Sequence, residues 1–351
     1  MRKNPTLAAR VMAVLTGLLL VACITSDISR AAEQAKPPVA VLLSLDRPLD
    51  AGAAPLVTAS SAGLFSAEGL AVTTNVANGS TDAIERVASG SSDFALVDIN
   101  VLARYRDKAD AAPVKAVFVL YDKAPYAIIA RKSRGINALA DLEGKTLGVA
   151  DGDFSIWFWP ALARQNGIKA ASVKQAKFSP AVREPMLAAG QVDAITAFSY
   201  LAGVNLRDRG IPADDLAVLR YSDYGCEAYG FALIVNPAFA AAKPEAVRGL
   251  LRATIGGTHL AIKDPGQAVD AVVSRMEGGS SELELARLQA VIRDNILTGD
   301  VKRGGIGGID TARFERSMDQ LGENFKFRKR PSAADIFDNS FLPPLGGRLI
   351  N

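Results

Sequence analysis

Two short apolar runs, YAIIAR (Tyr126–Arg131) and FALIVN (Phe231–Asn236), read as one buried strand written twice. Around them, strand-like and helix-like segments alternate. VAVLLSL, LAVTTNVA, DFALVD and VKAVFVLY lie before the first run; TLGVA, ASVKQAKF and QVDAITAFSY lie between the two; after Pro237 the chain reads helical. Such alternation makes βαβ units and an α/β fold. If each run crosses from one lobe to another, the block between them is an inserted lobe. The chain then goes lobe one (39–129), lobe two (130–230) and back to lobe one (231–351). The result is a two-lobed body with a cleft, hinged on two crossing strands.

Ligands of open α/β sheets gather at the carboxyl ends of the strands. The segment DGDFSIWFWP (Asp151–Pro160) follows the strand TLGVA and holds both tryptophans of the chain. Asp151, Asp153, Phe154 and Trp157 are therefore site candidates, Trp157 first and Phe154 next; three apart, the two rings fit one helical face. Aromatic runs also serve as plain core, which would leave only the aspartates without a role. Asp46, Asp98 and Glu227 are further strand-end or loop carboxylates, and Tyr200 and Tyr224 further rings able to sandwich a flat or cationic ligand. Asn78, Ser80 and Thr81 belong to an NGST turn whose helix start offers free N–H groups; capping alone also explains them. Ser179 opens a later helix in the same manner, with Arg183 one turn in, either an anion clamp or a solvated helix arginine. Ser60, in the small-residue helix after the first strand, completes the set. Carboxylates beside aromatics favour an aminopyrimidine-like or otherwise flat, cationic ligand. Several unpaired carboxylates would repel a sulfonate or nitrate.

Composition excludes several classes. Of 40 basic residues, Arg2, Lys3 and Arg10 precede an apolar run, Val11–Ala22; without them 37 basic residues meet 37 acidic ones. That balance gives no reason to expect nucleic acid. The first 22 residues read as a secretory signal, its apolar run too short for a permanent span of about 20 residues. Two processing sites fit. LVAC resembles a lipobox with Cys23 as the acylated residue, and Ser29–Ala31 fits ordinary cleavage. Residues 23–38 read as a linker. Either way the protein is expected in the periplasm, or on the outer face of the membrane if Cys23 is lipidated, with no other membrane contact. Two cysteines, Cys23 and Cys226, and a single histidine, His259, exclude a Cys/His zinc site. Cys226 reads as an inert buried thiol or as a wall of the pocket. GKT at 144–146 is no P-loop: Leu139 stands where glycine is required, and the motif opens a strand. No GxSxG motif accompanies His259, so no catalytic residue, metal or cofactor is expected.

In order along residues 38–345, APLVTASSAGLFSAEGLAVT, NGSTDAIERVASGSSDFALVD, GINALADLEGKTLGV, DYGCEAYGFALIVNPAF and FDNSFLP resemble the solute-binding proteins of ABC importers. The likeness is to their nitrate/sulfonate/taurine and thiamine-pyrimidine-precursor branch. It implies a type II periplasmic-binding fold of two Rossmann-like lobes that close on a small organic solute. It also implies a monomer that delivers its load to a membrane permease and an ATPase. The same fold includes a pyrimidine synthase that consumes its own histidine with bound vitamin B6. That enzyme's cysteine-rich CCCFC-type motif is missing here. An extracellular sensor domain is a third class, disfavoured because no signalling module follows.

Overall fold

The structure, a computed structural model, describes residues 37–350. The expected signal, Cys23 and the linker up to residue 36 lie outside the described residues. From Val39 onward the chain makes one unit built on ten strands. They are β1 (Val39–Leu45), β2 (Leu70–Val76), β3 (Phe94–Asp98), β4 (Lys115–Val119), β5 (Tyr126–Arg131), β6 (Thr146–Ala150), β7 (Lys174–Phe178), β8 (Ala194–Phe198), β9 (Leu216–Arg220) and β10 (Phe231–Val235).

They form two five-stranded sheets, ordered β2-β1-β3-β10-β4 and β7-β6-β8-β5-β9. The two orders are equivalent position by position. In each sheet the fourth strand is antiparallel to both its neighbours: β10 between β3 and β4, β5 between β8 and β9. This explains the duplicated apolar run. YAIIAR and FALIV fill the same place in the two sheets, and both need apolar side chains on both faces because helices cover both. All five residues of β10 are buried.

The pairing corrects the expected boundary after residue 129. All of β5 lies in the second sheet, held along its length on both sides. A strand so paired has no free backbone groups with which to span two sheets. The chain crosses instead over residues 120–125 and 221–230, in the connections before β5 and β10 rather than within them.

The helices that position the site are α1 (Ala54–Ser61), α2 (Gly79–Ser89), α3 (Ile99–Arg106), α4 (Trp159–Gln165), α5 (Arg183–Ala189), α6 (Ser199–Asp208), α7 (Pro244–Lys263), α8 (Ser281–Val291) and α9 (Thr311–Gly322). Helix α7 lies against α1 at Gly257, where a methyl group would meet the backbone of α1, including Ala59 N at 2.8 Å. Helix α4 begins at Trp159, inside the segment DGDFSIWFWP. Phe158 and Trp159 anchor it in the core, each 1% exposed.

Helix α9 fastens both crossings. Arg313 donates from Nη1 to Asp122 Oδ1 at 2.9 Å and from Nη2 to the Asp122 carbonyl at 2.5 Å, in the first crossing. From Nε it donates to the Glu227 carbonyl at 3.1 Å, in the second. Its guanidinium lies 4.0 Å from the centre of the Tyr229 ring. Thr298 Oγ1 occupies the other Asp122 oxygen at 2.6 Å.

Candidate functional site

The carboxyl ends of both sheets meet at a cleft of about 250 Å³. From the first sheet come Asp46 and Arg47 after β1, Gly79 and Ser80 at the start of α2, and Asp98 at the end of β3. The second sheet contributes the turn Ala150–Phe154 after β6, Arg183 of α5, and Phe198 and Leu201 at the end of β8 and the start of α6.

One side is a buried hydrogen-bond chain. Asp46 accepts Arg47 Nε and Nη2, both at 2.9 Å, and Ser80 Oγ at 2.6 Å. Ser80 Oγ in turn accepts Asp98 N–H at 3.1 Å. Ser80 thus holds two strand ends together and does not cap α2; Asn78 stands at the cap position and makes no side-chain cap bond. Asp98 caps α3 through Asn100 N–H at 2.9 Å and accepts the Tyr126 hydroxyl at 2.5 Å. Burial pushes its carboxyl up to about 6, against the pull of those bonds.

Arg47 is held on its faces as well as its edge. Its guanidinium lies 4.7 Å from the ring of Phe198, on the second sheet, and 4.4 Å from that of Phe231, on the first. Beneath it, Tyr121, Tyr200 and Phe231 form an aromatic floor with edge-on contacts of 5.2 and 6.4 Å between centroids. Asp50 lies beside this floor and accepts Gly52 N–H at 2.6 Å. Burial pushes its carboxyl up to about 6, against the attraction of Arg47.

On the opposite wall, Asp153 Oδ1 accepts Ser155 N–H and Oγ–H at 2.9 and 2.6 Å. Its Oδ2 is buried and has no partner among the described residues. Arg183 pairs with Glu184 at 2.9 Å. Both cleft arginines therefore already hold a carboxylate, whereas Asp151 and Asp153 make no ion pair among the described residues.

Six residues expected from sequence line this cleft: Asp46, Ser80, Asp98, Asp151, Asp153 and Phe154. The others lie elsewhere. Tyr200 is 2% exposed in the aromatic floor. Thr81 and Trp157 line a neighbouring groove. Ser60, Asn78 and Ser179 are exposed outside the cleft wall. The Tyr224 carbonyl accepts Asn166 Nδ2 at 2.9 Å. The Glu227 carboxylate pairs with Arg316 at 3.2 Å and faces Arg313 at 3.7 Å, engaged by α9. Cys226 is half-buried, its thiol pushed up to about 12 by burial, and it does not line the cleft.

Arg47 and Phe198 went unnoticed in the sequence. Arg47 directly follows Asp46 at a strand end, a legible signal. Phe198 ends β8, whereas Tyr200 two residues on already belongs to α6; on a continuous strand the two rings would share a face, so it is the change from strand to helix that parts them.

Two equivalent α/β lobes with a cleft at their strand ends define a type II periplasmic-binding fold. The aliphatic sulphonate binding protein SsuA of Escherichia coli superposes with a TM-score of 0.69 at 17% identity, over 85% of this chain and 91% of SsuA. The periplasmic nitrate-binding protein NrtA of Synechocystis gives 0.64 at 12% identity, over 87% of each chain. The chain belongs to the family described as NMT1/THI5 like, whose model matches residues 51–268. Among its relatives, a riboflavin-binding protein, RibY, from Chloroflexus aurantiacus is 26% identical over 303 residues, 83% of this chain and 82% of RibY. A 4-amino-5-hydroxymethyl-2-methylpyrimidine phosphate synthase from Legionella pneumophila is 27% identical over 217 residues, 62% of this chain and 67% of the relative.

Proposed function

We propose that this protein is the solute-capturing component of an ABC importer. It takes a small, flat, nitrogen-rich heteroaromatic solute of the aminopyrimidine class into the cleft by hinged closure of its lobes and passes it to a membrane permease. The observation that carries this reading is the unpartnered Oδ2 of Asp153 in a cleft that also holds Asp151, Asp98 and two rings, Phe154 and Phe198. A buried acceptor without a donor costs about 1–3 kcal/mol, and an amino or ring N–H of a ligand removes that cost. An anion gains less here, because Asp46 and Glu184 already occupy the two arginines. The relatives named for riboflavin and for a pyrimidine support a flat heteroaromatic ligand. The expected export signal, and acylation at Cys23 where it occurs, would hold the protein on the extracytoplasmic side.

Synthase-named relatives favour a second reading, turnover of a pyrimidine. Against it, the single histidine, His259, is exposed on α7 and does not line the cleft.

The test is a thermal-shift screen of aminopyrimidines, flavins, aromatic acids, sulfonates and nitrate. A ligand at a hundred times its Kd stabilises by about 2.7 kcal/mol. The expected result is a heteroaromatic hit that binds one to one, is recovered unchanged, and weakens about tenfold or more in Asp153→Asn. A sulfonate or nitrate hit, or release of a product, would overturn it.

A further inference from the structure

Thr81 and Trp157, absent from the cleft, line a separate groove of about 630 Å³ beside it. One wall is the end of α3, with Arg104 and, just beyond, Lys108; the other is the segment after α9, with Phe325, Lys326 and Arg328. Buried Asp107 accepts the backbone N–H groups of Arg328 at 3.0 Å and Lys329 at 2.7 Å, which fixes the second wall against the first. The Arg104 guanidinium lies 4.4 Å from the ring centre of Trp157 and 5.0 Å from that of Phe325. Stacking of this kind sets the plane of a guanidinium and leaves its N–H edges to an anion.

Lys108 faces Glu85 at 3.6 Å. Among the described residues, no carboxylate forms an ion pair with Arg104, Lys326 or Arg328. Asp107 is engaged by backbone N–H groups, and Asp110 is the other acid of the lining. Arg104 sits in the last turn of α3, where a cation complements the helix dipole. That accounts for Arg104 and not for Lys326 and Arg328, which come from a different segment.

We propose that this groove is a second binding site, for a small solute carrying a phosphate or diphosphate group. The anion bridges the Arg104 edge to Lys326 and Arg328, above the Trp157 ring.

The chain supplies its own reporter. Of its two tryptophans, Trp159 is 1% exposed in the core and Trp157 lines the groove. Inorganic pyrophosphate is titrated into the full protein at constant ionic strength, with tryptophan emission and calorimetry read in parallel. The expected result is a saturable change with one pyrophosphate bound. Its midpoint weakens about tenfold or more in Arg104→Gln and in the double variant Lys326→Gln/Arg328→Gln. Trp157→Phe keeps the calorimetric binding and loses the optical signal. Circular dichroism confirms that each variant is folded. A non-saturating response, or equal midpoints in wild type and charge variants, would overturn the site. Binding to phosphatidylglycerol vesicles without a pyrophosphate response would overturn the assignment to a small solute.

Discussion

The Tyr126 hydroxyl, on β5 of the second sheet, donates to Asp98 Oδ2, on β3 of the first, at 2.5 Å. One polar bond between buried groups thus ties the two sheets just behind the cleft. Removing the donor leaves a buried carboxylate oxygen short of a partner, at about 1–3 kcal/mol. Tyr126→Phe is expected to lose that much stability in urea unfolding at neutral pH. An unchanged midpoint would show that water replaces the phenol.

Asp98 also sets a pH dependence. Its carboxyl is raised by burial to about 6 from an ordinary 3.8. A raised folded-state value means that the folded chain holds more protons than the unfolded chain between about pH 4 and 6. Stability from this group is fully present below pH 4 and is lost as pH rises through 6, by roughly 2–3 kcal/mol. Asp98→Asn keeps an acceptor for Asn100 N–H and carries no charge. Its unfolding free energy, measured against wild type at pH 4.5 and 7.5, should improve relatively at the higher pH. Parallel curves would refute the assignment. Asp50 contributes in the same direction and remains in both proteins.

The aromatic pair of the 151–160 turn separates the two cavities. Phe154 and Trp157 are 4.8 Å apart, yet Phe154 lines the cleft and Trp157 the groove. Phe154→Ala should weaken the cleft ligand by about 1–3 kcal/mol, the range of ring stacking. Trp157→Ala should change it less than about threefold by the same scale. Calorimetry on the ligand found by thermal shift decides; the reverse order would place the solute in the groove.

Gly257→Ala is expected to be the harshest single-methyl change. The added carbon meets the backbone of α1, which cannot swing aside as a side chain can. Overpacking of this kind costs about 1–3 kcal/mol, and rigid contacts lie at the upper end. Thermal melting tests it. A neutral result would mean that α7 slides on α1.

The alternation of strands and helices, and the repeat of one apolar run, were enough to read two equivalent sheets. Where the chain crosses was not readable. Tyr126–Ile129 is apolar enough for a crossing strand or a central one, and only its two-sided pairing decides. The strand-end aspartates were legible because an acidic group after an apolar run needs either solvent or a partner. Which rings face the cleft depended on where β8 gives way to α6 and on the turn after β6, and no pattern of spacing carries that. Tyr224 and Glu227 read as pocket residues in the sequence, but α9 engages that loop. Contacts between segments so distant in sequence leave no local signature.

Arg313 has a mechanical consequence. It grips Asp122 on one crossing and the Glu227 carbonyl on the other, with Thr298 bracing Asp122 from behind. Two links held by one guanidinium do not move independently: a displacement of either crossing is passed to the other through Arg313.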